Sequence, residues 1–194
     1  MSYIRTNDNL PIPEVFASHA GSTILSPVVK RPVQGVGRGG QPLDMPGYVG
    51  TYTVRDGQPV PLGVVSDSYQ VVQMRDLCSA AESIMRGAFT PEQLSKIEIR
   101  DTSAGHGAWV RRQYVVKAFE EALEYGNATA RTIDVGTSVA ATCSITTSFD
   151  GGSSTQLDIG TLDLVCNNGM TALNAVDFFR RRHTKAATVE VFED

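Results

Sequence analysis

Long apolar runs are missing from this 194-residue chain; no stretch of about eighteen hydrophobic residues occurs, so nothing reads as a membrane-spanning helix. Cysteine is scarce. Cys78, Cys143 and Cys166 stand far apart with no Cys-x-x-Cys pairing, and that odd, scattered count argues for reduced thiols rather than a disulfide framework or a structural zinc site. Histidine is scarce too, and His19, His106 and His183 are too scattered to bring two imidazoles to one helix face or strand as metal ligands. A global positive field is absent: the net charge is −4, which does not advertise nucleic acid. The opening residues Met1 to Val15 lack the charged-then-apolar pattern of a secretory leader, so the expected location is the cytoplasm. What is present is ordinary for a soluble globular domain, 41% hydrophobic and 20% charged, and that excludes wholesale disorder.

Proline is unevenly spread. Six of the nine prolines (Pro11, Pro13, Pro27, Pro32, Pro42, Pro46) and the run Gly35-Val-Gly-Arg-Gly-Gly40 fall within residues 1–47. Proline removes backbone donors and glycine adds backbone entropy, so the expectation there is an extended N-terminal arm without regular helix or central strand. Such an arm, where ordered, lies on its own domain or on a neighbouring subunit. Residues 48–194 form the expected single domain. From Tyr48 the pattern has period two, and Asp56-Gly57 between β-rich runs predicts a hairpin that returns over Val60 to Val65. Leu77, Ala80, Ala81, Ile84 and Met85 recur at helical spacing and predict a helix ending near Gly87. Thr90-Pro91-Glu92-Gln93 has the order of a capping box opening a second, short helix. Lys96 to Arg100 and Ala108 to Val116 alternate around Gly105-His106-Gly107, which predicts a second hairpin; Glu120 to Glu124 reads as a short helix or a loop. Thr132 to Phe179 contains no lysine or arginine and is rich in Val, Thr, Ile and Ser. It reads as several strands with turns at Asp150-Gly-Gly152 and Asn167-Asn-Gly169. The expected fold class is α+β, a largely antiparallel sheet with a few helices on one face.

Most motifs that carry chemistry are weak here. The glycine run at 35–40 invites a phosphate loop, but a P-loop requires GxxxxGK[ST] between strand and helix, and Gln41-Pro42 follows instead. Asp134, Asp150, Asp158, Asp163 and Asp177 are numerous but widely spaced, so a metal-dependent nuclease using Asp150 or Asp163 rests on residue type alone. A thiol enzyme using Cys166 stands no better, since a cysteine at a strand end defaults to a small hydrophobe. No cofactor, metal or catalytic residue is implied. The positive charges are better organised. Arg180-Arg181-Arg182-His183-Thr184-Lys185 packs four cations into six positions, and Arg111, Arg112 and Lys117 lie beside Trp109 and Tyr114. Arginine and aromatics on a strand can grip a phosphate backbone and stack bases. The competing reading is a solvated face balanced by Glu120, Glu121 and Glu124, or a salt-bridged subunit interface.

Four segments carry a resemblance. Leu62-Gly-Val-Val-Ser-Asp-Ser-Tyr-Gln-Val-Val-Gln73 resembles the "LGVVSxxYxxVQ" signature of the domain-of-unknown-function 932 family, the phage/plasmid-like proteins. Thr147-Ser-Phe-Asp-Gly-Gly-Ser-Ser154 resembles that family's "SHDGSS" turn, with Phe149 in place of histidine and one extra glycine. Leu164-Val-Cys-Asn-Asn-Gly169 resembles its "RVVCxNT" strand end, and His183-Thr184 its downstream "HT". The resemblance implies carriage on a phage, prophage or plasmid and a bacterial host cytoplasm. It brings no activity and no catalytic residues.

The functional expectation is therefore a non-enzymatic protein that binds single-stranded DNA, with annealing as a homo-oligomer as the associated conjecture. The groove would be lined by Arg111, Arg112, Lys117, Arg180, Arg181, Arg182 and Lys185, with Trp109 or Tyr114 stacking. The alternative is a protein-interaction module of a mobile element that modulates a host defence system.

Overall fold

The turn at Asp56-Gly57 shows how local chemistry sets the topology. Both residues have positive φ, 49° and 75°, the paired left-handed conformations that a tight hairpin turn needs. They join β2 (Pro42–Arg55) to β3 (Gln58–Ser66), and β1 (Val29–Val36) pairs antiparallel with the other side of β2. The computed structural model describes residues 14–116, 138–164 and 171–184. After β3 come two helices, α2 (Met74–Ala88) and α3 (Pro91–Ser95), which follow the five-residue α1 (Glu14–Ser18) near the start of the described chain. A second, five-stranded sheet then runs in strict sequence order: β4 (Ile97–Ala104), β5 (Trp109–Val116), β6 (Ser138–Ser148), β7 (Thr155–Leu164) and β8 (Thr171–Arg181), every pair antiparallel. The class is α+β with antiparallel sheets, as the patterning predicts. The strands form two sheets because α2 and α3 separate the first hairpin from the rest.

The N-terminal segment is extended but not irregular. Pro32 is tolerated because β1 is an edge strand. Pro42 and Pro46 precede Tyr48, where β2 begins to pair with β3, so each faces at most one neighbouring strand. Upstream, residues 14–28 lie on the domain itself: Phe16, Ile24, Leu25 and Val28 are all buried in the main core. The chain before residue 14 is outside the described residues, as are Lys117, Lys185, Cys166, the Glu120–Glu124 segment and the Asn167–Gly169 turn.

The core lies between α2 and one face of the five-stranded sheet. Leu77, Cys78, Ala81 and Met85 form the buried stripe of α2, and Val110, Tyr114, Val116 and Ile145 answer from the strands. Phe16 of α1 closes one end with its ring edge-on to Tyr114, centroids 6.1 Å apart. The capping box opens α3 as its sequence predicts: Thr90 Oγ1 accepts from the Gln93 N–H at 3.3 Å, and Gln93 Oε1 accepts from the Thr90 N–H at 2.9 Å. The two sheets meet at the β6–β7 turn. Thr51 Oγ1 donates to the Phe149 carbonyl at 2.6 Å, and the Phe149 N–H donates to the Ala108 carbonyl. Gly63 lies so close to this turn that a Cβ there would sit 2.6 Å from Asp150 Cα.

Candidate nucleic-acid interface

β5 carries two arginines, and the pleat sends them to opposite faces. Arg112 shares the inner face with Val110 and Tyr114 and is 1% exposed. Its guanidinium is fully engaged. Nε and Nη2 donate to the two carboxylate oxygens of Asp101 at 2.8 and 2.9 Å, Nη2 also donates to the His19 carbonyl, and Nη1 lies 3.5 Å from Glu82 Oε1. Ser22 Oγ donates to the same Asp101, so the cluster fastens residues 14–28 to the sheet. Tyr114, also fully buried, donates its hydroxyl to Glu82 at 2.7 Å. Burial pushes the Asp101 carboxyl up, but hydrogen bonds from Arg112 and Ser22 outweigh it and hold the group below the usual 3.8. Glu82, farther from the guanidinium, is pushed above 4.5 by burial. Arg112 and Tyr114 therefore hold the core together and cannot face a ligand, which corrects the expectation that they line the groove.

The outer face of the same sheet collects the other candidates. Strand register aligns Thr102, Arg111, Thr146, Gln156 and Arg180 in one row across all five strands. The next row runs Arg100, Gln113, Ser144, Asp158 and Phe178. Trp109 lies on this face one step beyond Arg111, paired with Ser148. Arg111 and Arg180 are three strand spacings apart, about 14 Å. Arg111 is half-buried and donates from Nε to Ser144 Oγ at 2.7 Å, while Arg180 is exposed and Phe178 is 64% exposed. The face also holds carboxylates: Asp158, and Glu98 paired with Arg100 at 2.7 Å. Arg181 points the other way, since its pairing partner Thr155 belongs to the inner face. Phe178 escapes a reading built on charge clusters, although its place two residues before Arg180 on an alternating strand is a usable signal.

At the end of the sheet, beside the β6–β7 turn, lies a cleft of about 450 Å³ lined by Tyr69, Gly151 to Ser154, Arg180, Arg182, His183 and Thr184. Arg180 and Arg182 are exposed, and among the described residues neither guanidinium has a hydrogen bond or ion pair. The cleft wall is a stack: the Tyr69 and His183 rings lie 4.6 Å apart at 16°. Tyr69 donates its hydroxyl to the Ser148 carbonyl at 2.6 Å. His183 Nδ1 is 2.9 Å from the Gln70 carbonyl and its Nε2 is 3.3 Å from Thr155 Oγ1, which in turn meets Thr147 Oγ1. Burial holds the His183 imidazole below the usual 6.5, so it is neutral at physiological pH. Among the described residues no group of three His, Cys, Asp or Glu side chains is placed to hold a metal ion, and no helix is long and apolar enough to cross a membrane.

A family model described as Domain of unknown function (DUF932) matches residues 61–193, more than half of the chain. The chain belongs to this family. No curated protein and no solved structure matches it. The geometry gives physical sense to the DUF932 segments. The Leu62–Gln73 segment supplies Gly63 and Tyr69, the Thr147–Ser154 segment supplies the turn against which both pack, and His183 completes the stack. Three segments separated by up to about a hundred residues thus converge on the cleft. Phe149, at the family's histidine position, is 2% exposed and belongs to the core, so in this DUF932 chain the position packs rather than reacts. Gly151 sits at φ 78°, the left-handed conformation that makes glycine the favoured residue in this turn.

Proposed function

We propose that this DUF932 protein binds single-stranded DNA without catalysing a reaction, and that the outer face of the five-stranded sheet is the contact surface. The observation that carries the reading is the row that places Arg111 and Arg180 on one polar face, with Trp109 and Phe178 beside them. Guanidiniums engage the phosphate backbone while the aromatics offer π-faces to bases. Ser144, Thr146 and Ser148 of β6 are buried at 0%, 8% and 1% exposure, so the contact falls to the arginines and the flanking aromatics rather than to the hydroxyls between them. The acidic net charge is compatible with this, because the cations are local and the carboxylates Asp158 and Glu98 narrow the path a strand can take. A homo-oligomer acting in a bacterial cytoplasm on phage or plasmid DNA fits the reading, with annealing as its extension.

The test is charge reversal on the outer face. Arg111→Glu with Arg180→Glu should weaken binding of a labelled single-stranded oligonucleotide by at least a hundredfold while circular dichroism and the melting temperature stay near wild type. Unchanged affinity in that double variant would remove the sheet face as the contact surface.

A second reading has its own observation. On the helix-bearing side, Ile84, Ile159 and Phe179 are 39%, 45% and 47% exposed, an apolar patch suited to a protein contact. It supports self-association or a host protein partner, and a concentration-dependent sedimentation profile that collapses on Phe179→Glu would assign the patch to self-association.

A further inference from the structure

We infer that the cleft at the β6–β7 turn is a phosphate-end site, which receives the terminal phosphate monoester of a DNA strand lying on the sheet's outer face. The inference rests on the DNA-binding reading and adds to it the chemistry of one strand end. Arg180 belongs to both surfaces: it ends the row that begins near Arg111, and it lines the cleft. Beside it Arg182, two residues on, brings a second guanidinium with no carboxylate partner among the described residues. A terminal monoester carries about 1.5 to 2 negative charges at neutral pH where an internal diester carries one, so a paired-arginine site discriminates in favour of ends. Ser153 supplies an independent observation. It lines the same cleft, and its Oγ is buried without a hydrogen-bond partner. A buried hydroxyl left unsatisfied is costly, and a turn of the Ser153 side chain toward the cleft would let a phosphate oxygen accept its hydrogen bond. The neighbouring carboxylate Asp150 accepts the Gly152 N–H at 2.7 Å but keeps its charge, which acts on Tyr69 and His183, so the two guanidiniums have to outweigh it. The volume of about 450 Å³ accommodates a terminal nucleotide as well as its phosphate, and the Tyr69–His183 pair provides a wall of flat rings.

The experiment compares three oligonucleotides of one sequence, internally labelled, carrying a 5′-phosphate, a 3′-phosphate or hydroxyls at both ends, in fluorescence anisotropy with the full chain. One phosphorylated oligonucleotide should bind at least tenfold more tightly than the hydroxyl-ended one. Arg182→Ala should bring that ratio close to one. Ser153→Ala, which removes no hydrogen bond seen here, should reduce the ratio to threefold or less without changing affinity for the hydroxyl-ended strand. Equal affinities for all three oligonucleotides overturn the phosphate-end site while leaving the sheet face standing. No binding of any of them overturns the DNA-binding reading and this inference with it. A deoxynucleoside 5′-monophosphate that binds alone more tightly than the phosphorylated strand overturns the strand-end assignment in favour of a free nucleotide.

Discussion

One peptide bond separates Arg111, half-buried on the polar face, from Arg112, 1% exposed beneath α2. That difference was legible in the sequence. The alternation from Ala108 to Val116 puts Val110, Arg112 and Tyr114 on one face and Trp109, Arg111 and Gln113 on the other; reading the two arginines as one cluster overlooks the period-two rule. What the sequence could not supply was the partner, because Asp101, Glu82 and the His19 carbonyl come from three other elements. Removing Arg112 takes the cation from two partly buried carboxylates, each side chain 18% exposed, and empties space beneath α2, so Arg112→Ala should cost about 3 kcal/mol in chemical denaturation. The same change at Arg111 should cost under about 1 kcal/mol. The thiols make a further residue-scale prediction. Burial pushes both Cys78 and Cys143 up to about 12, so neither is thiolate at neutral pH. Alkylation followed by peptide mapping should find both unmodified in the native protein and both modified in denaturant. His183 sets a pH dependence. Its pKa is lowered in the fold, so its contribution to stability is complete above 6.5 and is lost as pH falls below that value. The melting temperature of wild type should decline between about pH 6.5 and 5, and His183→Asn should start lower and decline less over that window. Asp101, also held low, adds its loss only below about its ordinary value of 3.8.

Elements formed where local signals agreed. The hairpin at Asp56-Gly57, the stripe on α2, the capping box of α3 and the β4–β5 hairpin were all readable, because turn chemistry and periodicity point the same way in each. The N-terminal segment was only half readable. Its prolines and glycines speak against regular structure, but an edge strand and the end of β2 that has no partner on its β3 side tolerate them, and the apolar residues Phe16, Ile24, Leu25 and Val28 fasten the segment to the core. Deleting residues 1–28 should therefore do more than shorten a tail. Four buried apolar side chains are each worth about 1.5 to 3 kcal/mol, and their sum is comparable to the whole stability of an ordinary domain. The truncated protein should show no cooperative thermal transition; a transition near that of the full chain would mean that the segment only decorates the fold. Between elements the sequence was nearly silent. The row from Arg111 to Arg180 exists because β6 and β7 hold a fixed register between β5 and β8, and that register joins residues about seventy positions apart.

At the scale of the whole molecule, two sheets meet at one turn, and three of the segments that carry the DUF932 resemblance, Leu62–Gln73, Thr147–Ser154 and His183-Thr184, meet there as well. The family resemblance located these segments before their arrangement was known, but it could not say that Tyr69, Gly151 and His183 stand around one opening. The net charge of −4 points away from nucleic acid, but a net charge does not register how the arginines are sorted by face. On the proposed reading, binding through so few phosphate contacts should be only moderately salt-dependent, since each neutralised phosphate releases about one counterion. The most direct test is the affinity of the full-length protein for a single-stranded oligonucleotide, titrated from about 50 to 200 mM salt. If the sheet face is the contact surface, binding is measurable at the low end, with a log–log slope of about −2 to −3 that falls by one or two units in the Arg111→Glu, Arg180→Glu variant. Flat anisotropy at the lowest salt, or a slope the variant leaves unchanged, would contradict it.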